Sequence, residues 1–369
     1  MLKAVFVLAD LESGGAQRVV LTVVRHLNRD RIEPFLVVVN PWGPLRRDLP
    51  GSLPVHVMDV ARLRHAIPGL VRYLRRLRPD VVVTTVSHLN LGILAVRRFL
   101  PSGTRVFVRE ANTPSVRLQS TAHPKAYRFL YRRLYPCSDG ILCNSQYMKQ
   151  DMVGLIPSAA GRIHVIPNPV DEERVRANIL RSGNPYRTGG INLVSVGRLN
   201  RQKGYDLLIR AVSDACHEVA GLSLTLVGDG PEAGVLKGLS KELGLQNAVV
   251  FAGHQDNPYP VMAHADLFVS SSRYEGSPNA VLESLACGTP VLAFDCPGGT
   301  GEIITEGLNG WLVPAEDTGA MAAKLIEIVR GRAWENMNAG RLLPESFECA
   351  NAVRAYESLL IESAVNSSV

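Results

Sequence analysis

The chain has 369 residues, 46% of them hydrophobic, which exceeds one ordinary compact domain and supplies apolar material for two. Its net charge of +6 is unevenly held: residues 1–180 carry 26 Lys and Arg against 13 Asp and Glu, residues 181–369 the remaining 14 against 21. No apolar run reaches the ~20 residues that span a bilayer, Met1–Asp10 is too short and ends too acidic for a signal peptide, and six cysteines without a Cys-x-x-Cys pair fit neither a disulfide framework nor a zinc site, which suits a reducing cytoplasm.

Short apolar runs alternate with helical periods along the chain, the pattern of α/β domains built on parallel sheets. In the first half, strands are expected at Ala4–Leu8, Phe35–Val39, Val55–Met58, Val81–Thr85, Arg105–Val108, Gly140–Cys143 and Ile163–Ile166, with helices at Ala16–Leu27 and Ile67–Leu77. The polar segment 171–190, which ends in Gly189-Gly190, reads as a linker between domains at 1–170 and 191–348. A second series of strands follows at Ile191–Val196, Ser223–Val227, Val249–Ala252, Leu267–Ser270, Val291–Phe294 and Gly310–Val313. The segment 349–365 has helical spacing (Val353, Tyr356, Leu359, Leu360) and is expected to pack back on the first domain. Two doubly wound domains facing one another would hold a ligand in a cleft at the carboxyl ends of their strands.

Chemistry-bearing residues cluster after these strands. Gly14-Gly15 stands between the first strand and a helix, where bare backbone and free N–H groups can meet an anion; a tight turn reads the same way. Val196–Gly204 ends a strand at Gly197 and then places Arg198 and Lys203 before a helix at Asp206–Val212. A guanidinium fork and an ammonium there suit phosphate oxygens, and a solvated basic loop is the alternative. Gly228-Asp229-Gly230 closes the next strand with a sharp turn that keeps side chains away from a base or ribose, as a surface turn also would. In Ser270–Pro290, Glu275 lies in a loop within reach of a sugar hydroxyl, and Pro278 suits a helix start. The backbone at Asn279 and Ala280 favours a diphosphate, and Glu283, a turn into the helix, can accept from ribose hydroxyls.

Glu275-Gly-Ser-Pro-Asn-Ala-Val-Leu-Glu283 resembles the E-x7-E signature of family 4 glycosyltransferases, enzymes of the GT-B fold with two Rossmann-like domains. The resemblance extends over nearly the whole chain. Gly14–Arg18 is similar to the family's first phosphate-facing loop, Asn144-Ser145 and Val165–Asp171 to the end of its first domain, and Val196–Gly204 to its Gly-Arg-Leu…Lys-Gly segment; Phe251–His254 also fits. It implies that Arg198 and Lys203 bind the donor diphosphate and stabilise the leaving nucleotide, and that Glu275 holds the transferred sugar. Glu283 would hold the ribose, and Gly14, Gly15, Gly197, Gly230, Ser277, Pro278, Asn279 and Ala280 would complete the donor site. The implied reaction moves a hexose or N-acetylhexosamine from a nucleotide-sugar, a UDP-sugar first, with retention by front-face attack. No cofactor is implied, and the chain has no Asp-x-Asp to hold a metal against a diphosphate.

One stretch departs from the family. Many members place a histidine after the strand equivalent to Arg105–Val108, where this chain reads Arg109-Glu110-Ala111-Asn112. That variant resembles bacterial enzymes that extend lipid-linked oligosaccharides. Glu110 could orient the acceptor hydroxyl, or His88 could supply the imidazole, or His88 could be structural. Arg109 belongs to the same candidate acceptor side, together with Arg128 and Arg132 on the basic amphipathic stretch Lys125–Tyr135, where Tyr127, Leu130, Tyr131 and Leu134 share a face. Arg72–Arg78 is a second such stretch. These helices could rest on anionic lipid or grip a pyrophosphate-linked acceptor, or bury one face and solvate the other. The expectation is a peripheral enzyme on the cytoplasmic face of a membrane, with a lipid-linked or surface-polysaccharide glycan as acceptor. A soluble acceptor, or a sugar-nucleotide-binding protein without turnover, are the alternatives. Nucleic acid is not expected, because no helix-turn-helix, zinc or stacking signature accompanies the charge.

Overall fold

The computed structural model describes all residues except 13, 52, 120, 187, 188, 336, 338–340 and 366–369. Two units divide the chain: Met1–Pro169 with Ser346–Val369, and Val170–Glu345.

The first unit holds β1 (Leu2–Leu8), β2 (Ile32–Val38), β3 (Val55–Val57), β4 (Val81–Thr85), β5 (Arg105–Arg109), β6 (Gly140–Cys143) and β7 (Ile163–Val165). They form one parallel sheet in the order β3-β2-β1-β4-β5-β6-β7, with Ala4 opposite Val81 and Val81 opposite Arg105. β4, Val-Val-Val-Thr-Thr, is buried at every position, as a central parallel strand covered on both faces must be. One face of the sheet (Val5, Val7, Val82, Val106, Val108) packs with Ala66, Leu70 and Leu74 of helix Leu63–Leu77. The other face (Ala4, Phe6, Leu8, Val81, Val83, Phe107) packs with helix Gly15–His26 and with Val353, Tyr356 and Leu360 of helix Cys349–Val365. Helix Leu63–Leu77 begins a turn earlier than its expected start at Ile67 and carries Pro68 inside it. The proline reads as a first-turn residue, yet the stripe Ala66–Leu70–Leu74 buries enough apolar surface to hold the turn before it.

The second unit holds β8 (Ile191–Val196), β9 (Leu222–Val227), β10 (Val249–Gly253), β11 (Leu267–Ser270), β12 (Val291–Asp295) and β13 (Gly310–Pro314), parallel in the order β10-β9-β8-β11-β12-β13. The segment 171–190 is not linker throughout. Helix Glu172–Ile179 fills its first half, capped by the Asp171 carboxylate, which accepts from Arg174 N at 3.0 Å, with Glu172 and Glu173 favourably placed in its first turn. Asn257 Nδ2 donates to Asn178 O at 2.9 Å, and Tyr186 OH donates to Val261 O at 2.9 Å, so both ends of the segment are bound into the second unit. Arg187 and Thr188 lie outside the described residues. Among the described residues no helix is long and apolar enough to cross a membrane.

Arg109, placed by sequence on the acceptor side, is a fold contact. It is 2% exposed. Its Nη2 donates to Asn168 Oδ1 at 2.6 Å, its Nη1 to Thr85 Oγ1 at 3.3 Å and its Nε to Tyr356 OH at 3.2 Å. It thereby ties the C-terminal helix to β4 and to the end of the first unit. Arg109→Met should lower stability to urea by about 3 kcal/mol, since the lost bonds are charge-assisted and their buried partners are left unsatisfied. It should also raise hydrogen exchange in residues 349–365. An unchanged urea midpoint would mean that apolar packing at Val353 and Leu360 holds this helix without the guanidinium.

Candidate active site

In each sheet the strand order reverses once, between β8 and β11 in the second unit and between β1 and β4 in the first. Loops leaving two such neighbours diverge and leave a crevice at the carboxyl edge, where α/β sheets bind ligands. In the second unit these two loops are Gly197–Gly204 and Ser271–Pro278, which carry Gly197, Arg198, Lys203, Glu275, Ser277 and Pro278, half of the candidate donor-site residues.

The loop after β8 ends in a 3-10 turn, Arg201–Lys203, capped by Asn200 Oδ1 accepting from Lys203 N at 3.3 Å. Gly204 then takes a left-handed conformation (φ 62°), and a Cβ there would lie 2.1 Å from Ser271 O. The close approach allows Ser271 Oγ to donate to Lys203 O at 2.9 Å and Gln202 Nε2 to donate to Tyr274 O at 3.0 Å. Lys203 Nζ reaches Glu275 Oε1 at 2.6 Å, and Ser272 Oγ donates to the same oxygen at 2.7 Å. Glu275 is 5% exposed and the Lys203 side chain 22%. Burial works against the lysine's charge, but the carboxylate beside it outweighs that cost and raises the pKa.

Lys203 lines a small recess with Ser272, Pro278, Ala280 and Val281. Pro278 is the N-cap of helix Asn279–Ala286 and offers no side-chain acceptor to its first turn. An anion in the recess would meet a held ammonium on one side and a helix start on the other. Arg198 is exposed on the same loop, and its side chain makes no hydrogen bond or ion pair among the described residues. Glu283 is half-buried and accepts from Tyr259 OH at 3.4 Å. The glycines have reasons the sequence did not suggest. A Cβ on Gly228 (φ 141°) would lie 2.0 Å from Gly197 O, and one on Gly230 2.3 Å from Leu199 O, so the loops after β8 and β9 run backbone against backbone.

Three partners escaped the sequence. Arg273 grips Asp206 with two bonds of 2.8 Å and donates to Glu316 at 3.0 Å, clamping the loop after β11 to the helix after β8. The bond from Arg273 depresses the Asp206 pKa. Gly298 (φ 139°) would place a Cβ 2.1 Å from Glu275 O, so the β12 loop bears directly on Glu275. Ser272, which shares the Glu275 oxygen, sits in an ordinary Ser-rich run. Sequence separation hides the first two, and composition hides the third.

In the first unit, Gly14 is the N-cap of helix Gly15–His26. Asp10 Oδ1 braces the loop by accepting from Gln17 Nε2 at 2.6 Å and from Glu12 N at 3.1 Å. His88 falls in the first turn of helix Ser87–Ala95. Though exposed, its ring lies close enough to the protein for burial, and then Arg117, to lower its pKa, against a raising influence from Asp10. Val86, which precedes that helix, has φ 68°, an unfavourable conformation for a β-branched residue.

Glu110 does not reach towards a ligand. It is 1% exposed. Its carboxyl accepts from Ser87 Oγ at 3.0 Å, from Asn90 Nδ2 at 3.0 Å, from Tyr131 OH at 3.3 Å and from Tyr135 OH. Burial raises its pKa, and the bonds from Tyr135, Asn90 and Ser87 only partly offset this. Arg128 and Arg132 are exposed on helix Pro124–Leu134. Of the apolar face expected there, Tyr131 is buried, Tyr127 and Leu134 are half-buried and Leu130 is 37% exposed. Among the described residues no group of three or more His, Cys, Asp or Glu could hold a metal ion.

Removing Lys203 leaves a nearly buried carboxylate without its counter-charge. Lys203→Ala should lower stability by about 2 kcal/mol, less than for a fully buried pair because the lysine is partly exposed. In a double-mutant cycle the Lys203→Ala/Glu275→Ala protein should lose less than the two single losses added; strict additivity would deny the pair any coupling. For Glu110 the folded pKa lies above the unfolded value of about 4.3, so its stabilising contribution is full below that pH and declines as pH rises through the folded value. Melting temperatures followed from pH 4 upward should lose this decline in Glu110→Gln.

Both units match known families. The family model described as glycosyl transferases group 1 matches residues 178–339, and that described as glycosyltransferase family 4 matches residues 13–174. The chain is 29% identical over 323 residues to the Campylobacter jejuni N-acetylgalactosamine-N,N'-diacetylbacillosaminyl-diphospho-undecaprenol 4-alpha-N-acetylgalactosaminyltransferase, covering 85% of this chain and 86% of that one. It is also 29% identical over 336 residues to the lipopolysaccharide core biosynthesis glycosyltransferase LpsE of Rhizobium meliloti, covering 89% and 90%. The crystal structure of Anabaena HepE in complex with UDP and glucose superposes with a TM-score of 0.80 at 19% identity, over 98% of this chain and 100% of that one. The matches cover both units: the chain belongs to the family 4 glycosyltransferases and has their GT-B fold of two parallel-sheet α/β domains.

Proposed function

We propose that the enzyme transfers a hexose or N-acetylhexosamine from a UDP-sugar to a lipid-linked or surface-polysaccharide acceptor, with retention and without metal or cofactor. The observation that carries the donor side is the Lys203–Glu275 pair at the β8/β11 crevice, beside the start of helix Asn279–Ala286. A diphosphate entering the recess competes with Glu275 for the Lys203 ammonium and recruits Arg198. Glu275, released from the ammonium and still bonded to Ser272, turns to the hydroxyls of the transferred sugar. Glu283, next to Tyr259, takes the ribose. As the C1–O bond to phosphate breaks, the acceptor oxygen bonds to C1 on the same face and its proton passes to the leaving phosphate oxygen. Lys203 and Arg198 stabilise the charge that develops there. HepE was crystallised with UDP and glucose, which supports this choice of donor.

On the acceptor side, the Campylobacter relative acts on a diphospho-undecaprenol-linked glycan, and the basic first half of this chain suits such an anionic substrate. Helix Pro124–Leu134 offers Lys125, Arg128, Arg132 and Arg133 beside Phe129, which is 66% exposed, a mixture that fits an anionic membrane surface. We place the enzyme peripherally on the cytoplasmic face.

Calorimetry against UDP-, GDP- and ADP-sugars should single out a UDP-sugar. Lys203→Ala should weaken UDP binding by roughly tenfold to a hundredfold, the loss of one charge-assisted phosphate contact. No response to any of the three would overturn the donor assignment. The protein should float with vesicles containing anionic lipid, and remaining with the soluble fraction would favour a small soluble acceptor.

A further inference from the structure

Helix Pro124–Leu134 carries four cations and is weakly covered. Among its residues Tyr131 alone is buried, whereas Lys125, Arg128, Arg132 and Arg133 are exposed. Beside the packing of Tyr127, Tyr131 and Leu134 against the core, a polar anchor holds the helix. Tyr131 and Tyr135, one turn apart, stack with ring centroids 4.3 Å apart and planes 11° from parallel. Both hydroxyls donate to Glu110 Oε1. The other oxygen, Oε2, accepts from Ser87 Oγ, the neighbour of His88. Asn90, in the same helix as His88, donates to Glu110 Oε1 at 3.0 Å and to Arg109 O at 2.9 Å, and is itself held by Thr84 Oγ1 at 2.7 Å. One buried carboxyl at the end of β5 thus joins the cationic helix to the turn that bears His88.

Apolar contacts tolerate sliding, whereas several donors converging on one carboxyl do not. The strained turn at Val86 points the same way. A positive φ at valine persists only where the surroundings over-determine it, and the Ser87–Glu110 bond is one of those constraints.

We propose that Glu110 is a positioning residue for the acceptor. It fixes helix Pro124–Leu134 in register with the Ser87–His88 turn, so that the cations offered to the acceptor's diphosphate keep one spacing from that turn. This rests on the acceptor reading above, and it moves Glu110 from contact with the acceptor to control of what contacts it.

The test uses the double variant Tyr131→Phe/Tyr135→Phe, which keeps the stacked rings and removes both hydroxyls, with Glu110→Gln as the conservative comparison. The acceptor is a short-chain polyprenyl-diphosphate-linked N-acetylhexosamine. The double variant should raise the acceptor KM roughly tenfold, well within what a small misplacement costs. The KM for UDP-sugar, and UDP-sugar hydrolysis without acceptor, should stay as in the wild type, and Glu110→Gln should fall between. An unchanged acceptor KM, or a parallel loss of hydrolysis and donor affinity, overturns the proposal. Hydrogen exchange separates the anchor from the functional reading. A wild-type enzyme indifferent to the acceptor's diphosphate removes the functional reading and with it the acceptor role of Glu110. Exchange that rises over residues 87–90 and 124–134 in the double variant supports the anchor, and unchanged protection there overturns it.

Discussion

The second unit's site depends on one ion pair, Lys203 with Glu275, spanning the loops after β8 and β11. An ion pair taken this far from water seldom stabilises a fold more than a well-packed apolar pair would, because each ion loses its hydration. Its position is therefore better explained by binding than by stability. Glu275 favours the charged ammonium in a place where burial works against it. Ser272 keeps the carboxylate bonded whichever partner the lysine has. In the proposed reaction the pair exchanges one anion for another.

Such an exchange needs loops that do not drift, and their rigidity comes from bare backbone. Gly204, Gly228, Gly230 and Gly298 each sit where a Cβ would collide with a carbonyl oxygen of the opposing loop. Three of the four also have positive φ, which other residues adopt only under strain. The loops after β8, β9, β11 and β12 are thereby stacked at van der Waals distance with no side chains between them. Arg273 adds the long-range clamp to Asp206. Around the crevice the loops meet main chain to main chain at these four glycines.

Much of this was legible in the residues. The strands of both sheets announced themselves as apolar runs between turns, because buried parallel strands are apolar on both faces. The loops that matter were recognisable because they follow those strands with Gly, Arg, Lys and Glu. Less visible was what each residue does with its neighbours. Gly230 reads as room for a ligand but serves backbone packing. Arg109 reads as an acceptor-side residue but is consumed by Asn168, Thr85 and Tyr356, the last of these 247 residues away. Glu110 reads as a residue that orients the acceptor hydroxyl, yet it faces inward. Spacing reports which residues share a loop; it does not report which way a side chain turns at the end of a strand, where inward and outward alternate residue by residue. Helix Glu172–Ile179 could have been found, since Asp171-Glu172-Glu173 is a capping pattern, but polar composition concealed it.

The surplus of positive charge in the first unit is held in two different ways. Helix Leu63–Leu77 buries Ala66, Leu70 and Leu74 at regular spacing, and its exposed Arg72, Arg75 and Arg76 are the solvated side of an ordinary amphipathic element. Helix Pro124–Leu134 buries one residue and leaves Phe129 and Leu130 in the open with its cations. A helix that exposes aromatic and aliphatic groups between arginines gains little from water, and its apolar packing against the core comes from Tyr127, Tyr131 and Leu134. Its attachment through two hydroxyls to one buried carboxyl gives it a defined position without covering its outer face. Equal charge on the two helices is therefore met by unequal burial: the first helix covers its apolar face, and the second leaves Phe129 and its cations open, as the proposed anionic partner requires.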